Sequence, residues 1–489
     1  MNPTSFVRLV AEECAHIGRR RWFAAAFGAL LLALLGSVWQ GRQDLRAQTA
    51  QYDAARFARE QAQVRANLVA LGRAVEPGLR VLRPPAPGVI LVPGDDWRTP
   101  AAWEVLPAGV DALPAYASAL RRFHLAEAWN LAGLVRIWAA ALALLLGLAL
   151  GLPDRAPGLW TAVASWPGAR AWLCARLVAG VAIMVAAVGL SWTTVSIALW
   201  AFAGDASRPA VWPGALPATL YLTGWWAVGV GSAWRARTAV RATLSGVALW
   251  IAGAVFAPAI ALFVSDRAAP VPPVEAYQQE RQEAYADALR TSELEIARQV
   301  GQRVPNPLAT GSELEAAIVA AFPHVEAQWR AGFTEARAVV MAQDAERRTL
   351  EARQEQWAAA MVLLLPGASL ESVLAEMVGT GASMREAWQN AAAGYHLALQ
   401  PALFDNRPTA NLRVIMGDRA ALHGIPRRPP PAIGSLPTVV PPDGPGLRPS
   451  SRALVLGTGL LAWAGLAMAF AWRAGQSALT RPTSHRSID

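Results

Sequence analysis

The chain has 489 residues, of which 54% are hydrophobic and 16% charged, with a formal net charge of +9. Soluble domains normally carry about a quarter charged residues, so this composition excludes an ordinary water-facing fold for much of the chain. The positive charge flanks apolar runs and forms no basic stripe interleaved with aromatics, which excludes a nucleic-acid partner.

Residues 1–21 open the chain as a cytoplasmic amphipathic helix lying on the membrane interface. Phe6, Val7, Leu9, Val10 and Ile17 fall on one side, and Arg8, Glu12, Glu13 and Arg19 largely on the other. A simple N-terminal anchor is the plainer reading of the same pattern. No small-residue cleavage site follows, so a cleavable signal peptide is not expected.

A bilayer core requires roughly twenty apolar residues in helical form. Six runs qualify as transmembrane helices: 22–40, 131–152, 173–202, 216–234, 243–264 and 453–472. The third is long enough to tilt or extend past the membrane. The fourth contains Gly224, Gly229 and Gly231, which let helices approach closely. The expected fold class is an all-α membrane protein with six transmembrane helices, the interfacial helix and two mainly helical extracytoplasmic domains.

Arginines in the short segments set the orientation. Arg19, Arg20 and Arg21 precede the first run, and Arg155, Arg170 and Arg176 follow the second. Arg235, Arg237 and Arg241 follow the fourth, and Arg473, Arg481 and Arg486 the sixth. If the runs alternate, all four groups share one side. This predicts an inner (plasma) membrane protein with both termini cytoplasmic, a cytoplasmic loop at 153–172 and a cytoplasmic tail at 473–489.

The two long polar regions then lie outside. The first, 41–130, opens with a charged helix to about Ala74, with Val64, Leu68, Leu71 and Val75 on one face. A Pro-rich stretch follows, and Val89-Ile90-Leu91-Val92 is a candidate strand that brings minor β structure to this domain. The second, 265–452, predicts helices over Val274 to Gln302, Glu326 to Leu364 and Met384 to Leu403. Residues 427–449 are Pro/Gly-rich and read as an extended return strap. Each region is large enough to fold as a small domain, or the two pack on one another.

Chemical groups are sparse. All 44 basic residues are arginine, so the lysine that a P-loop needs is missing and no nucleotide site of that kind is expected. The middles of the six runs lack ionisable groups, which disfavours a proton- or sodium-driven carrier. Arg136, near the outer end of the second run, is the exception, and snorkelling explains it most simply. Cys14 and Cys174 lie beside apolar runs, and the histidines show no metal-ligand spacing. Asp95-Asp96 reads as a turn former. No catalytic, cofactor-binding or metal-binding residue is expected. The loop from Asp154 to Pro167 is more informative. Asp154 and Pro157 open a short amphipathic helix containing Leu159, Trp160 and Val163, and Pro167 stops it. A helix of this kind on the inner face could pass mechanical work from a partner to the spans.

This pattern resembles the permease subunits of ABC-2 type exporters, in which an interfacial helix precedes six spans and a carboxylate-x-x-x-Gly element begins a coupling helix. Asp154 and Gly158 resemble that pair, with Asp in place of the usual Glu and Leu159 in place of a common Thr. Pro167 and Arg176 resemble the family's Pro and the basic residue entering the third span. More narrowly, the chain resembles an uncharacterised branch with two large extracytoplasmic insertions. Arg122-Phe123-His124-Leu125-Ala126-Glu127, Leu365-Pro366-Gly367-Ala368, Val378-Gly379-Thr380-Gly381 and Tyr395-His396 resemble its short motifs.

The resemblance implies ATP-driven export, with ATP and magnesium bound by a separate P-loop ATPase subunit and no cofactor in this chain. It also implies pairing with a second copy or a related permease, with an envelope protein as a further candidate partner. Two rival readings are a membrane-bound extracytoplasmic sensor and a membrane enzyme. The first lacks a cytoplasmic segment large enough for an output domain. The second lacks a convergent polar site.

Overall fold

The computed structural model describes residues 3–69, 80–93, 99–106, 109–112, 129–152, 159–202, 211–303, 312–403, 439–442 and 450–480. The chain is predominantly helical. Helix α1 (Pro3–Gly18) is followed by α2 (Arg21–Val69), which continues without a break from its apolar first half into the charged region. Helix α3 (Leu131–Gly151) contains a π-helical segment over Leu134–Ala139. Asn130 caps its start by accepting from Gly133 N at 2.8 Å. The short α4 (Leu159–Ser165) leads to the 34-residue α5 (Ala169–Phe202) and then to α6 (Ala215–Arg235).

Among the described residues, four helices are long and apolar enough to cross a membrane: the first part of α2, α3, α5 and the C-terminal α13 (Ser451–Thr480). Two bent pairs raise the number to as many as six if each is one span. In the first pair, α7 (Ala239–Val255) and α8 (Ala257–Ala268) meet at 58°. The predicted straight span over 243–264 is therefore broken, because Pro258 opens α8 without an N–H to continue the hydrogen-bond ladder. In the second pair, α10 (Ser312–Leu364) and α11 (Pro366–Val378) meet at 114°. This pair falls within the region read from sequence as extracytoplasmic.

Helix α6 matches the predicted fourth run but is not among the strongly apolar helices, since tryptophan and glycine replace leucine along it. Its role is central packing. It is buried along most of its length, with α13 on one side and α3 on another. Glycines permit this. A Cβ on Gly229 would collide with the Leu144 carbonyl, and one on Gly231 would come within 2.6 Å of the Phe470 ring. Backbones this close gain dispersion contacts along the whole crossing.

The helices alternate in direction. At one end, Leu150 of α3, Leu173 of α5, Trp234 of α6 and Gly475 of α13 come together with α1. Arg170, Arg176, Arg235 and Arg473 all lie on the helix ends gathered here, so this is the arginine-rich end. At the far end, Trp192 Nε1 donates to Val211 O at 2.9 Å and Tyr221 OH donates to Arg136 O at 2.8 Å.

The two polar regions pack on each other. A three-stranded antiparallel sheet, β1 (Arg80–Leu82), β2 (Ala102–Leu106) and β3 (Gly109–Ala112), lies in that order. It meets α12 (Ala382–Leu403), with Trp103 stacked on Trp388 at a 6.2 Å ring separation. Residues Val89–Val92 are not the expected strand. Pro87–Ile90 form a 3₁₀ turn, and the segment is buried against α2 and α11 instead of joining the sheet. Helix α9 (Val274–Arg303) pairs with α10 as a long hairpin around Tyr285, Phe333, Ala336 and Val340. Helix α10 begins at Ser312, not Glu326, and runs through Pro323.

Two local readings from sequence require correction. Arg136 does not snorkel: it is 5% exposed and forms a 3.0 Å ion pair with Glu371 of α11. Helix α11 has no counterpart among the predicted elements. Its Pro-Gly-Ala-Ser start resembles a turn, yet it is buried on nearly every side at the far end of the bundle. The motif Val378-Gly379-Thr380-Gly381 ends this helix, with Gly379 in the left-handed conformation (φ 78°) that favours glycine.

Candidate functional site

The arginine-rich end holds the most organised polar arrangement near the loop singled out by sequence. Along α1, Phe6, Leu9 and Val10 are half-buried and Ile17 is fully buried. Val7, assigned to the same apolar side, is 66% exposed. Phe6, Val10, Glu13 and Ile17 are spaced four, three and four residues apart, so they form one stripe on a helix. Glu13 thus belongs to the packed face and not to the polar one.

That stripe lies along the first turns of α5. Arg176 Nη1 donates to Glu13 Oε2 at 3.0 Å and to Oε1 at 3.2 Å, while Nη2 donates to Leu150 O at 2.7 Å. Trp172, one turn earlier on α5, donates its indole N–H to Glu13 Oε1 at 3.3 Å, and its ring lies 5.1 Å beneath the guanidinium. The guanidinium fork binds one carboxylate and one backbone carbonyl, which the single donor head of lysine would not do equally well. Three elements are fastened at this point: α1, the last turn of α3 and the start of α5.

The segment between α3 and α5 is therefore clamped at both of its ends. Within it, α4 packs against α13 and α5. Of the residues singled out by sequence, Leu159 and Trp160 belong to the backbone of α4, Val163 is half-buried and Pro167 is exposed. Asp154 and Gly158 lie outside the described residues, as do Asp95-Asp96, Arg122 to Glu127 and most of the strap at 427–449. The side chains of Val64, Leu68, Leu71 and Val75 also fall outside them. Helix α1 thus joins the same junction as the loop, through Glu13 and Arg176. Sequence analysis missed this pairing, although the carboxylate in an apolar stripe was its visible signal.

Glu13 accepts from both Trp172 and Arg176, and Arg176 also donates to Leu150 O, so the charges of the junction are mutually satisfied. Among the described residues, no group of three His, Cys, Asp or Glu side chains is placed to hold a metal ion. Comparison with family models, curated proteins and solved structures finds no match to this chain.

Proposed function

We propose that the chain is the membrane-spanning permease subunit of an ABC-2 type exporter, energised by a separate P-loop ATPase subunit. The observation that carries this reading is the clamped loop: a short helix at the arginine-rich end, packed on α13 and α5 between two anchored segment ends. A partner pressing on α4 would act at once on α13 and α5, and through Arg176 on α1 and α3. The sequence resemblance at Asp154 and Gly158 supports the same assignment.

In this reading the arginine-rich end faces the cytoplasm, and six passes cross the inner membrane, α6 and the α7–α8 pair among them. The ATPase binds ATP and magnesium and alternates between two states. The permease responds because α4 interacts differently with the partner in each state. Two copies, or one copy with a related permease, enclose the pathway. The sheet, α12 and the α9–α10 hairpin stand outside, available to an envelope partner.

The test is co-purification from the native host in mild detergent. A stoichiometric P-loop ATPase should accompany the tagged chain. Replacing residues 154–167 by a Gly/Ser linker should abolish that capture while the chain still reaches the membrane. Isolation of the intact chain without an ATPase would reject the proposal.

A further inference from the structure

Helices α10 and α11 turn into each other at Leu365 (φ −106°, ψ 104°), which precedes Pro366. Proline disfavours helical geometry in the residue before it, so the corner is confined to a single position. Between Glu355 and Glu371 the chain carries no ionisable residue, and the last turns of α10 read Trp357-Ala358-Ala359-Ala360-Met361-Val362-Leu363-Leu364. Just before this apolar run α10 is held by polar contacts. Gln354 Nε2 donates to Asp266 of α8 at 2.8 Å, and Arg385 Nη2 of α12 donates to Glu355 at 2.9 Å.

The corner itself lies deep in the bundle. A Cβ on Gly459 of α13 would come within 3.1 Å of Leu363. Gly459 follows Ser451, the first residue of α13, by about 12 Å of helix. A Cβ on Gly367 would come within 2.6 Å of Gly253 O, and Gly253 in turn lies against Trp225, at the middle of the 21-residue α6. From there α11 climbs back. Leu374 meets Gly214 at the start of α6, and Ser450 Oγ, just before α13, donates to Glu376 at 3.3 Å. Thr380, past the end of α11, donates to Val92 O at 2.8 Å. Both ends of the pair therefore stand at the far end of the bundle, and only its corner reaches mid-depth.

Non-helical backbone at membrane depth must find its hydrogen-bond partners within the protein. Here it does. Leu365 N donates to Met361 O and Ser369 N to Leu365 O, each at 3.0 Å, and the Ser369 hydroxyl donates to Val362 O. Pro366 brings no N–H to satisfy. Glu371, the first ionisable group on the way back, is paired with Arg136, as a charge in hydrocarbon requires. Leu364 is nevertheless 72% exposed, and Leu461 of α13, two residues past Gly459, is exposed as well. Trp357 is half-exposed about 10 Å of helix above Leu364. Exposed Trp129 and Trp212 stand just before α3 and just before α6, so indoles mark this boundary as they do a membrane interface.

We propose that residues 357–378 form a re-entrant hairpin sunk into the leaflet opposite the arginine-rich end, with Leu363 and Leu364 against lipid acyl chains. The descending half, the last turns of α10, faces lipid. The returning half, α11, is a fixed core helix of the bundle. The pair enters and leaves on one side, so it adds no crossing, and α12 stays on the same side as the upper part of α10. This follows from depth within the bundle and holds whether or not an ATPase binds at the other end.

Single cysteines in the full chain test it, with Cys14→Ser and Cys174→Ser removing the native thiols. Ala345→Cys on α10, Gln389→Cys on α12 and Thr480→Cys at the end of α13 all replace exposed residues. In sealed vesicles of one orientation, a membrane-impermeant maleimide should reach Ala345→Cys and Gln389→Cys from one face and Thr480→Cys from the other. Labelling of Ala345→Cys and Gln389→Cys from opposite faces would show a crossing and overturn the proposal. Depth is read separately, from a nitroxide attached to Leu364→Cys in lipid vesicles. Its collisions with a water-soluble nickel chelate should be at least about tenfold rarer than those of a nitroxide at Ala345→Cys, because the bilayer core excludes water. Its collisions with dissolved oxygen should be the more frequent of the two. Equal nickel collision rates at the two sites would place the corner in water and overturn the lipid contact.

Discussion

Glu13 of α1 and Arg176 of α5, 163 residues apart in the chain, form a 3.0 Å ion pair with side chains only 13% and 7% exposed. Removing one member of such a pair leaves the other charge desolvated, at a cost of about 3–5 kcal/mol. Glu13→Gln and Arg176→Gln should each lower the thermal midpoint of the purified chain by several degrees. The double variant should lose less than the sum of the two. Additive losses in this cycle would mean that the residues act separately.

Tyr277, at the base of the α9–α10 hairpin, donates its hydroxyl to Asp344, and Arg347 lies 4.4 Å over its ring. Burial, followed by the bond to Asp344, holds its pKa above the ordinary tyrosine value. The unfolded chain releases this proton near pH 10, before the folded chain does. The contribution to stability is therefore complete below about pH 10 and is lost as pH rises beyond it. Chemical denaturation between pH 8 and 11.5 should show this decline, and Tyr277→Phe should flatten it.

The stacking of Trp388 on Trp103 joins the sheet of the first polar region to α12 of the second. Trp388→Ala removes a large buried ring, with an expected loss of about 3–5 kcal/mol. The loss should be local. Limited proteolysis should cut within 80–112 sooner than in the parent chain, while the helices of the bundle stay protected. Uniform cleavage throughout would show that the two regions and the bundle unfold as one unit.

Gly88 touches the backbone of α11 so closely that a Cβ would overlap the Val378 carbonyl, whereas a Cβ on Gly394 in α12 meets nothing within 4 Å. Gly88→Ala should destabilise by about 1–3 kcal/mol through overpacking. Gly394→Ala should stabilise by up to about 1 kcal/mol, since alanine is the better helix former. Thermal midpoints of the two variants should move in opposite directions.

Much of the bundle was legible in the residues. Long uncharged runs announce apolar helices, because each run must hide its own side chains whatever surrounds it. Gly224, Gly229 and Gly231 announced close packing on α6. Leu159 to Pro167 announced a short helix stopped by proline. Helix α11 was not legible. It is short, and its Leu-Pro-Gly start reads as a turn in a region that is polar on either side, while neighbours from several elements cover most of its surface. Val89–Val92 has strand composition, yet contact with α2 and α11 overrode that preference.

Local composition by itself determined the apolar helices, the arginines gathered at alternate ends and the polar regions between them. Each of these follows from what a short window of chain must do with water. Only the tertiary structure decided which charges are buried and with whom they pair: Glu13 with Arg176 at one end, Arg136 with Glu371 at the other. The energy of such a pair depends on separation and on the medium around it. Both are properties of the assembled helices, and no window of sequence contains them.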